Sequence, residues 1–203
     1  MEEITNYSKE DIDIGNTPPK IYILCCSIRE CFCISYSIRK TNNLYFHFHK
    51  EKILIKFEGN QLRYLGSDER SQALLLNKAL TIGDNSNLES DSWIKSTPGI
   101  YIQKTSDLFS LIKYLESSIK EKFIFLIDED TLKDDIGVEF VDFKSLGNLT
   151  EYFYIIPTYS ISNANTDIIE KLKKFQFVQL GKINKTHDKI LFINYQIDKF
   201  HSL

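Results

Sequence analysis

The sequence lacks the long apolar segments that membrane-spanning and exported proteins carry. No stretch reaches the roughly 18 consecutive apolar residues that a membrane-spanning helix needs. Residues 1–13 are acidic and contain no apolar core, so they are not typical of a signal peptide. Hydrophobic residues make up 42% of the 203 residues and charged residues 26%, which is ordinary for a soluble protein. The sequence therefore predicts a soluble protein.

Cysteine is scarce, and its placement is a poor basis for a disulfide framework. Four cysteines lie within nine residues: Cys25, Cys26, Cys31 and Cys33. Structural zinc usually takes cysteine pairs spaced about two to four residues apart with a distant second pair, which this cluster does not supply. His47 and His49 point to one side of a predicted strand, without an evident third ligand. We therefore predict reduced thiols, a cytoplasmic protein and no metal site.

The sequence also lacks a strong excess of either charge, since its net charge is −3. Charge is nevertheless clustered. Residues 39–56 carry five Lys or Arg and one Glu, residues 171–189 six Lys and one Asp, and residues 128–142 seven acids and one Lys. The basic stretches are compatible with RNA binding, and the alternative is that they are solvated faces. No Walker loop, G-x-G-x-x-G fingerprint or nucleophile elbow is present.

Apolar periodicity predicts the secondary structure. Polar residues 1–19, which end in two prolines, predict a disordered or loosely packed arm. Strands are predicted at residues 20–26, 44–49, 100–102, 123–127, 152–156 and 177–180, with a hairpin of residues 53–57 and 61–65. Helices are predicted at residues 29–39, 67–82 (capped by Ser67), 107–122, 166–175 and 190–200, and a loop at 83–96. This alternation predicts one α/β domain over residues 20–203 with a mostly parallel sheet, and by itself an unknotted one.

Four separated motifs carry a resemblance to a known family. They are F-E-G-x-x-L at residues 57–62, S-D-E-R at residues 67–70, S-T-P-G-I-Y at residues 96–101 and S-Y-S-I-R-K at residues 35–40. In this order and spacing they resemble the archaeal methyltransferases that methylate N1 of the pseudouridine in the T-arm of tRNA. The resemblance extends from about residue 21 to about residue 198.

That family belongs to the SPOUT superfamily, so the resemblance implies a trefoil-knotted α/β domain and a homodimer. It also implies a bent S-adenosylmethionine held by backbone groups of three loops, with RNA across the dimer. By motif, Leu126, Leu180 and Gly181 are the candidate cofactor-binding residues, and Arg39 and Lys40 the candidate RNA-binding residues. The alternatives are core packing for Leu126, a plain turn for Gly181, and a charge pair at a helix C-terminus for Arg39 and Lys40. Catalytic residues are unassigned, because positioning can supply most of the catalysis of methyl transfer from a sulfonium.

The sequence departs from the family where the family binds its cofactor. Residues 19–22, Pro-Lys-Ile-Tyr, replace Gly-Arg-Leu-Asp, and residues 157–161, Pro-Thr-Tyr-Ser-Ile, replace Gly-Asp-His-x-Gly. Pro157 removes a backbone N–H and fixes φ, and Ile161 adds a branched side chain. Lys189 replaces a cysteine and brings an ammonium that would repel the sulfonium or attract the carboxylate of the cofactor. These departures predict weak or absent binding of S-adenosylmethionine.

The resemblance favours a tRNA pseudouridine N1-methyltransferase, or a close homologue acting on RNA, with S-adenosylmethionine as cofactor and tRNA or other structured RNA as partner. The alternative is a non-catalytic SPOUT-fold protein that has lost the cofactor and serves as an RNA- or protein-binding dimer. A small-molecule methyltransferase is a third possibility. Neither DNA nor a membrane is an expected partner.

Overall fold

The computed structural model describes residues 6–85, 92–105, 107–118, 121–127, 138–158 and 170–201. The chain divides into two compact units, Met1–Tyr114 and Leu115–Leu203. The elements, in chain order, are α1 (Lys9–Asp13), α2 (Pro19–Phe32), β1 (Cys33–Ile34), β2 (Ser37–Ile38), β3 (Asn43–Phe48), β4 (Ile53–Glu58), α3 (Glu69–Asn85), β5 (Ile94–Thr97), β6 (Ile100–Lys104), α4 (Leu108–Ser118), β7 (Lys122–Ile127), β8 (Glu139–Phe140), β9 (Tyr152–Ile155), β10 (Gln176–Gln179) and α5 (Thr186–His201). No helix within the described ranges has both the length and the apolar character to cross a membrane.

The N-terminal arm is folded against α3. The hydroxyl of Ser8 caps α1 by accepting a hydrogen bond from the backbone N–H of Asp11 at 3.1 Å. The hydroxyl of Tyr7 donates to the carbonyl oxygen of Ala73 at 2.7 Å, and Arg70 forms an ion pair with Asp13 at 2.8 Å. These contacts pack residues 7–13 against α3, which the prediction of a disordered or loosely packed arm did not anticipate. Polar composition concealed these contacts, while the domain boundary at residue 19 stays a prediction.

Helix α2 replaces a predicted strand and a predicted helix. Pro19 occupies its first position, where the missing N–H of proline costs no hydrogen bond. Its buried residues recur at three- and four-residue spacing: Ile21, Leu24, Ile28 and Phe32. The strand predicted at residues 20–26 and the helix predicted at residues 29–39 are both wrong, because one helix covers residues 19–32 and a short hairpin, β1–β2, follows it.

The N-terminal unit contains an antiparallel sheet in the order β3-β4-β6-β5. Its strands β3, β4 and β6 confirm three of the predicted strands. The predicted hairpin partner at residues 61–65 is wrong, because β4 pairs with β3 and β6 instead. Helix α3 packs on one face, where Gly83 lies against Ile102 and Ile53. Its cap is Asp68 and not Ser67: the carboxylate of Asp68 accepts from the backbone N–H of Ser71 at 2.8 Å.

The C-terminal unit contains a parallel sheet in the order β8-β10-β7-β9. The predicted parallel strands β7, β9 and β10 and the last helix are confirmed. Strand β7 is buried on both faces, as parallel strands usually are. On one face, Ile193 of α5 joins Leu126 and Val178 in a buried cluster. On the other, Phe125 stacks on Phe177 with ring centroids 5.0 Å apart. The helix predicted at residues 166–175 lies partly outside the described residues.

Candidate functional site

The carboxyl ends of three parallel strands meet at one edge of the C-terminal sheet. Strand β7 is central, with Ile127 in register with Gln179 of β10 and Phe125 in register with Ile155 of β9. In open α/β sheets, ligands bind at the carboxyl edge of the strands. The segments that follow β9 and β10 are therefore the candidate cofactor site. The segment that follows β7, residues 128–137, lies outside the described residues.

Leu126 lies in the core beneath this edge. Its side chain is fully buried and packs in the cluster with Ile124, Val178 and Ile193. A side chain in that position contacts the hydrophobic core and not a ligand from solvent. A cofactor could therefore contact only the backbone of Leu126. The cofactor-binding role of Leu126 stays a prediction.

Leu180 and Gly181 form the turn after β10. Leu180 is half-buried and packs against the same core cluster. Gly181 has φ +61°, and no heavy atom lies within 4 Å of the position that a Cβ would occupy. A left-handed backbone with open space beside it allows a ligand to approach the main chain closely. This turn therefore fits a cofactor held by backbone groups.

Pro157 and Lys189, two departures from the family pattern, lie at or near the same carboxyl edge. Pro157 follows β9 and offers no backbone N–H to a ligand, whereas the positions of Tyr159, Ser160 and Ile161 lie outside the described residues. Lys189 is buried in the first turns of α5, one turn before Ile193 on the same side of the helix. Its side chain therefore faces the sheet near the carboxyl edge. The end of β9, where Pro157 offers no N–H, therefore fits the cofactor less well than the Gly181 turn does.

Arg39 and Lys40 lie in the loop between β2 and β3 of the N-terminal unit. The backbone N–H of Arg39 donates to the carbonyl oxygen of Phe32 at 2.7 Å, and Nζ of Lys40 donates to the carbonyl oxygen of Leu62 at 3.3 Å. Because α2 ends at Phe32, neither residue lies in its last turn, but the bond from Arg39 to Phe32 leaves the alternative of cations near a helix C-terminus open. Lys40 is exposed and Arg39 is half-buried. Their role in RNA binding stays a prediction.

The sequence motifs meet at the glycine turns of the N-terminal unit. The backbone N–H of Glu58 donates to the carbonyl oxygen of Gly99 at 2.8 Å, which joins the F-E-G and S-T-P-G motifs. A Cβ on Gly99 would lie 2.5 Å from the backbone nitrogen of Leu62, and one on Gly59 would lie 2.5 Å from the carbonyl oxygen of Arg39. These motifs therefore build the fold.

Sequence reasoning missed a row of residues that the antiparallel sheet assembles. Tyr45 is in register with Lys56 of β4, and Lys56 is in register with Tyr101 of β6. Nζ of Lys56 lies 6.0 Å from the centroid of each ring. The alternation along β3 indicated that the side chain of Tyr45 points away from the core. The sequence did not indicate which residues of β4 and β6 lie beside it, because that depends on how the strands pair. In the part of the chain that the structure describes, no group of three His, Cys, Asp or Glu could hold a metal ion.

Comparison with known proteins places these features in a family. Residues 4–137 match the family described as "Putative SAM-dependent RNA methyltransferase", where SAM is S-adenosylmethionine. The chain is 26% identical over 136 residues to the tRNA (pseudouridine(54)-N(1))-methyltransferase of Methanocaldococcus jannaschii, a match that covers 64% of this chain and 66% of the relative. It is 30% identical over 152 residues to the protein of that name from Methanococcus maripaludis, with 66% of this chain and 74% of the relative covered.

A solved structure also resembles the chain: Archaeoglobus fulgidus Nep1 bound to S-adenosylhomocysteine. The two share 11% identity, with a TM-score of 0.49, and the comparison covers 91% of this chain and 72% of that one. Of the candidate residues, Arg39, Lys40 and Leu126 fall within the family match, whereas Leu180 and Gly181 follow it. The match spans well over half of the sequence, and the chain therefore belongs to this family of SAM-dependent RNA methyltransferases.

Proposed function

We propose that the chain is a tRNA pseudouridine N1-methyltransferase, or a close homologue that methylates RNA. The observation that carries this proposal is the 30% identity over 152 residues with an archaeal tRNA (pseudouridine(54)-N(1))-methyltransferase. The proposal includes a SPOUT-type trefoil knot in the C-terminal unit and a cytoplasmic location. Methyl transfer from S-adenosylmethionine to a pseudouridine-containing tRNA tests it directly.

The carboxyl edge of the parallel sheet would hold the cofactor. When bound, S-adenosylmethionine supplies a methyl group on a sulfonium, and catalysis then depends mostly on positioning. The Gly181 turn would receive it with backbone groups, because the space beside Gly181 is open. Lys189 would place its ammonium on the carboxylate of the cofactor.

The cofactor affinity is expected to rise when Pro157 is replaced by glycine. Glycine restores a backbone N–H at the edge, and a hydrogen bond to a charged group contributes about 1.5–3 kcal/mol, so at least roughly tenfold tighter binding follows. Titration calorimetry with S-adenosylmethionine measures the change. Pro18→Gly is the matched control, because Pro18 precedes α2 in the other unit.

Equal affinity of the unchanged chain and Pro157→Gly would contradict the role given to the proline. Absence of binding in both would favour the second candidate function, a non-catalytic RNA- or protein-binding dimer. The replacement of a family glycine by Pro157 is the observation that favours that candidate.

RNA binding is expected to run through the loop that carries Arg39 and Lys40. Replacing both with alanine should weaken binding to tRNA and flatten its salt dependence, by about 0.7–0.9 in the log–log slope for each phosphate that the protein no longer neutralises. Fluorescence anisotropy at several salt concentrations measures the slope. Lys144→Ala is a control of the same charge in the other unit, and an unchanged slope in the double variant would mean that Arg39 and Lys40 serve the fold alone.

The proposal also includes a homodimer formed through apolar helices of the C-terminal unit. Helix α5 exposes large hydrophobic side chains, among them Leu191, Tyr195 and Phe200. Burying them between two copies would remove apolar surface from water. Sedimentation at micromolar concentration should give about twice the mass of one chain, and a monomer would contradict the composite RNA site.

A further inference from the structure

A row of alternating aromatic and cationic side chains crosses the antiparallel sheet. The register runs from Tyr45 through Lys56 and Tyr101 to Lys95, with one residue from each of β3, β4, β6 and β5. Neighbouring strands lie about 4.8 Å apart, so the two tyrosines are separated by about 10 Å. Nζ of Lys56 lies 6.0 Å from both ring centroids. The ammonium therefore sits between two rings on one face.

This row lies on the face of the sheet opposite to α3. The residues that alternate with it, such as Ile55 and Ile102, are buried on the helix side. Tyr45, Lys56 and Tyr101 are half-buried and Lys95 is exposed. Each of these residues thus keeps part of its surface accessible to solvent, which is the condition for a ligand to reach the row.

An adjoining loop extends the row with further cations and another ring. The hydroxyl of Tyr101 donates to Oε1 of Gln61 at 2.6 Å, which ties residues 61–64 to the sheet. In this loop Arg63 is exposed and Tyr64 is 71% exposed. Lys40 reaches the same loop through its bond to Leu62.

The charge of this surface is complementary to an anion. One carboxylate, that of Glu58, lies 3.2 Å from Nζ of Lys56 and offsets that single charge. Lys40, Arg63 and Lys95 add three further cations at exposed positions. Cations interleaved with accessible rings fit a ligand that carries phosphates and flat bases.

We propose that the Tyr45–Lys56–Tyr101–Lys95 row binds unpaired nucleotides of RNA by stacking. The rings of Tyr45 and Tyr101 contact bases, and the lysines contact phosphates, since sheets with exposed aromatic side chains bind single-stranded RNA in this way. The inference rests on the proposed function in taking RNA as the ligand. A protein partner at this surface is the competing outcome.

Anisotropy with a fluorescent oligoadenylate tests the proposal on the full chain. The double variant Tyr45→Ala/Tyr101→Ala should bind at least about 30-fold more weakly, because stacking contributes about 1–3 kcal/mol for each of the two bases. The double variant Tyr45→Phe/Tyr101→Phe keeps both rings and should stay within about twofold. Phe140→Ala removes an exposed ring from β8 in the other unit and is the surface control. Unchanged affinity in the alanine variant, or no binding by the unchanged chain, overturns the proposal.

A second measurement detects the contact without truncating a ring. Trp93 is the single tryptophan, so Trp93→Phe combined with Tyr101→Trp leaves one reporter in the row. A stacked base should quench its fluorescence on addition of oligoadenylate, and an unaltered spectrum at saturation would overturn the stacking. Oligoadenylate contains no pseudouridine, so this result is independent of methylation. Methylation of tRNA without quenching would remove this inference alone, and quenching without methylation would remove the proposed activity alone.

Discussion

Replacing Gly99 with alanine is expected to lower the free energy of unfolding by about 4 kcal/mol. Gly99 has φ +83°, and an added Cβ would lie 2.5 Å from the backbone nitrogen of Leu62. The left-handed conformation costs a side chain about 1–2 kcal/mol, and overpacking against a backbone that cannot rotate away adds about 1–3 kcal/mol. The change also disturbs the carbonyl that accepts the backbone N–H of Glu58.

Other glycines of the chain separate these two causes. Gly15 has φ +77° with open space around it, so Gly15→Ala should cost about 1–2 kcal/mol from conformation alone. Gly59→Ala meets the carbonyl oxygens of Arg39 and Asn42 at 2.5 Å without a left-handed φ, and should cost about 1–3 kcal/mol from crowding. Gly147 has neither a left-handed φ nor a crowded Cβ position, so Gly147→Ala should change the free energy of unfolding by less than about 0.5 kcal/mol.

Urea denaturation of the four variants measures this order. The fold described here requires Gly99 to exceed Gly59 and Gly15, and Gly147 to be nearly neutral. A loss for Gly99→Ala no larger than for Gly147→Ala would mean that residues 59–62 and 99 do not meet as the structure has them. The motifs would then need an explanation other than close packing.

Acid is expected to destabilise the N-terminal unit through His47. Burial lowers the pKa of His47 from its ordinary 6.5 to about 4, and the neighbouring His49 adds to the shift. Because the folded-state pKa is the lower one, the unfolded chain takes up the proton first. The stabilisation is complete above pH 6.5, and about 2–3 kcal/mol of it is lost as the pH falls from 6.5 through 4.

The comparison of the unchanged chain with His47→Gln isolates this contribution. The variant should lose less stability between pH 6.5 and pH 4, because glutamine does not titrate. Urea denaturation at a series of pH values gives the slopes, and an NMR titration gives the pKa of the imidazole directly. Identical slopes for the two proteins, or an imidazole that titrates near pH 6.5, would show that His47 is solvated and not buried.

The spacing of apolar residues predicted those strands and helices in which buried residues recur at one regular interval. Strand β3 alternates buried and accessible residues, and β7 is apolar throughout because a parallel sheet covers both of its faces. The same reasoning gave a wrong prediction for helix α2. Its apolar stretch at residues 21–25 is as typical of a buried strand as of a helix, and the decisive signals were Pro19 and the spacing that continues to Phe32.

The role of the candidate site residues stays a prediction. Gly181 occupies a left-handed turn at the carboxyl edge, which fits a cofactor loop and a plain turn alike. Leu126 was named from the same resemblance and is a core residue, because one-dimensional motifs do not distinguish a strand's backbone from its side chain. The row from Tyr45 to Tyr101 could not be predicted, since register between strands is set by tertiary pairing.

The direct test of the account is methyl transfer by the full chain to a T-arm RNA that contains pseudouridine. The reaction contains S-adenosylmethionine, and mass spectrometry of the digested RNA identifies the product nucleoside. We expect a single added methyl on N1 of pseudouridine, and none on the same RNA with uridine at that position. No methylated nucleoside, at cofactor concentrations that calorimetry shows to be saturating, would contradict the proposed activity.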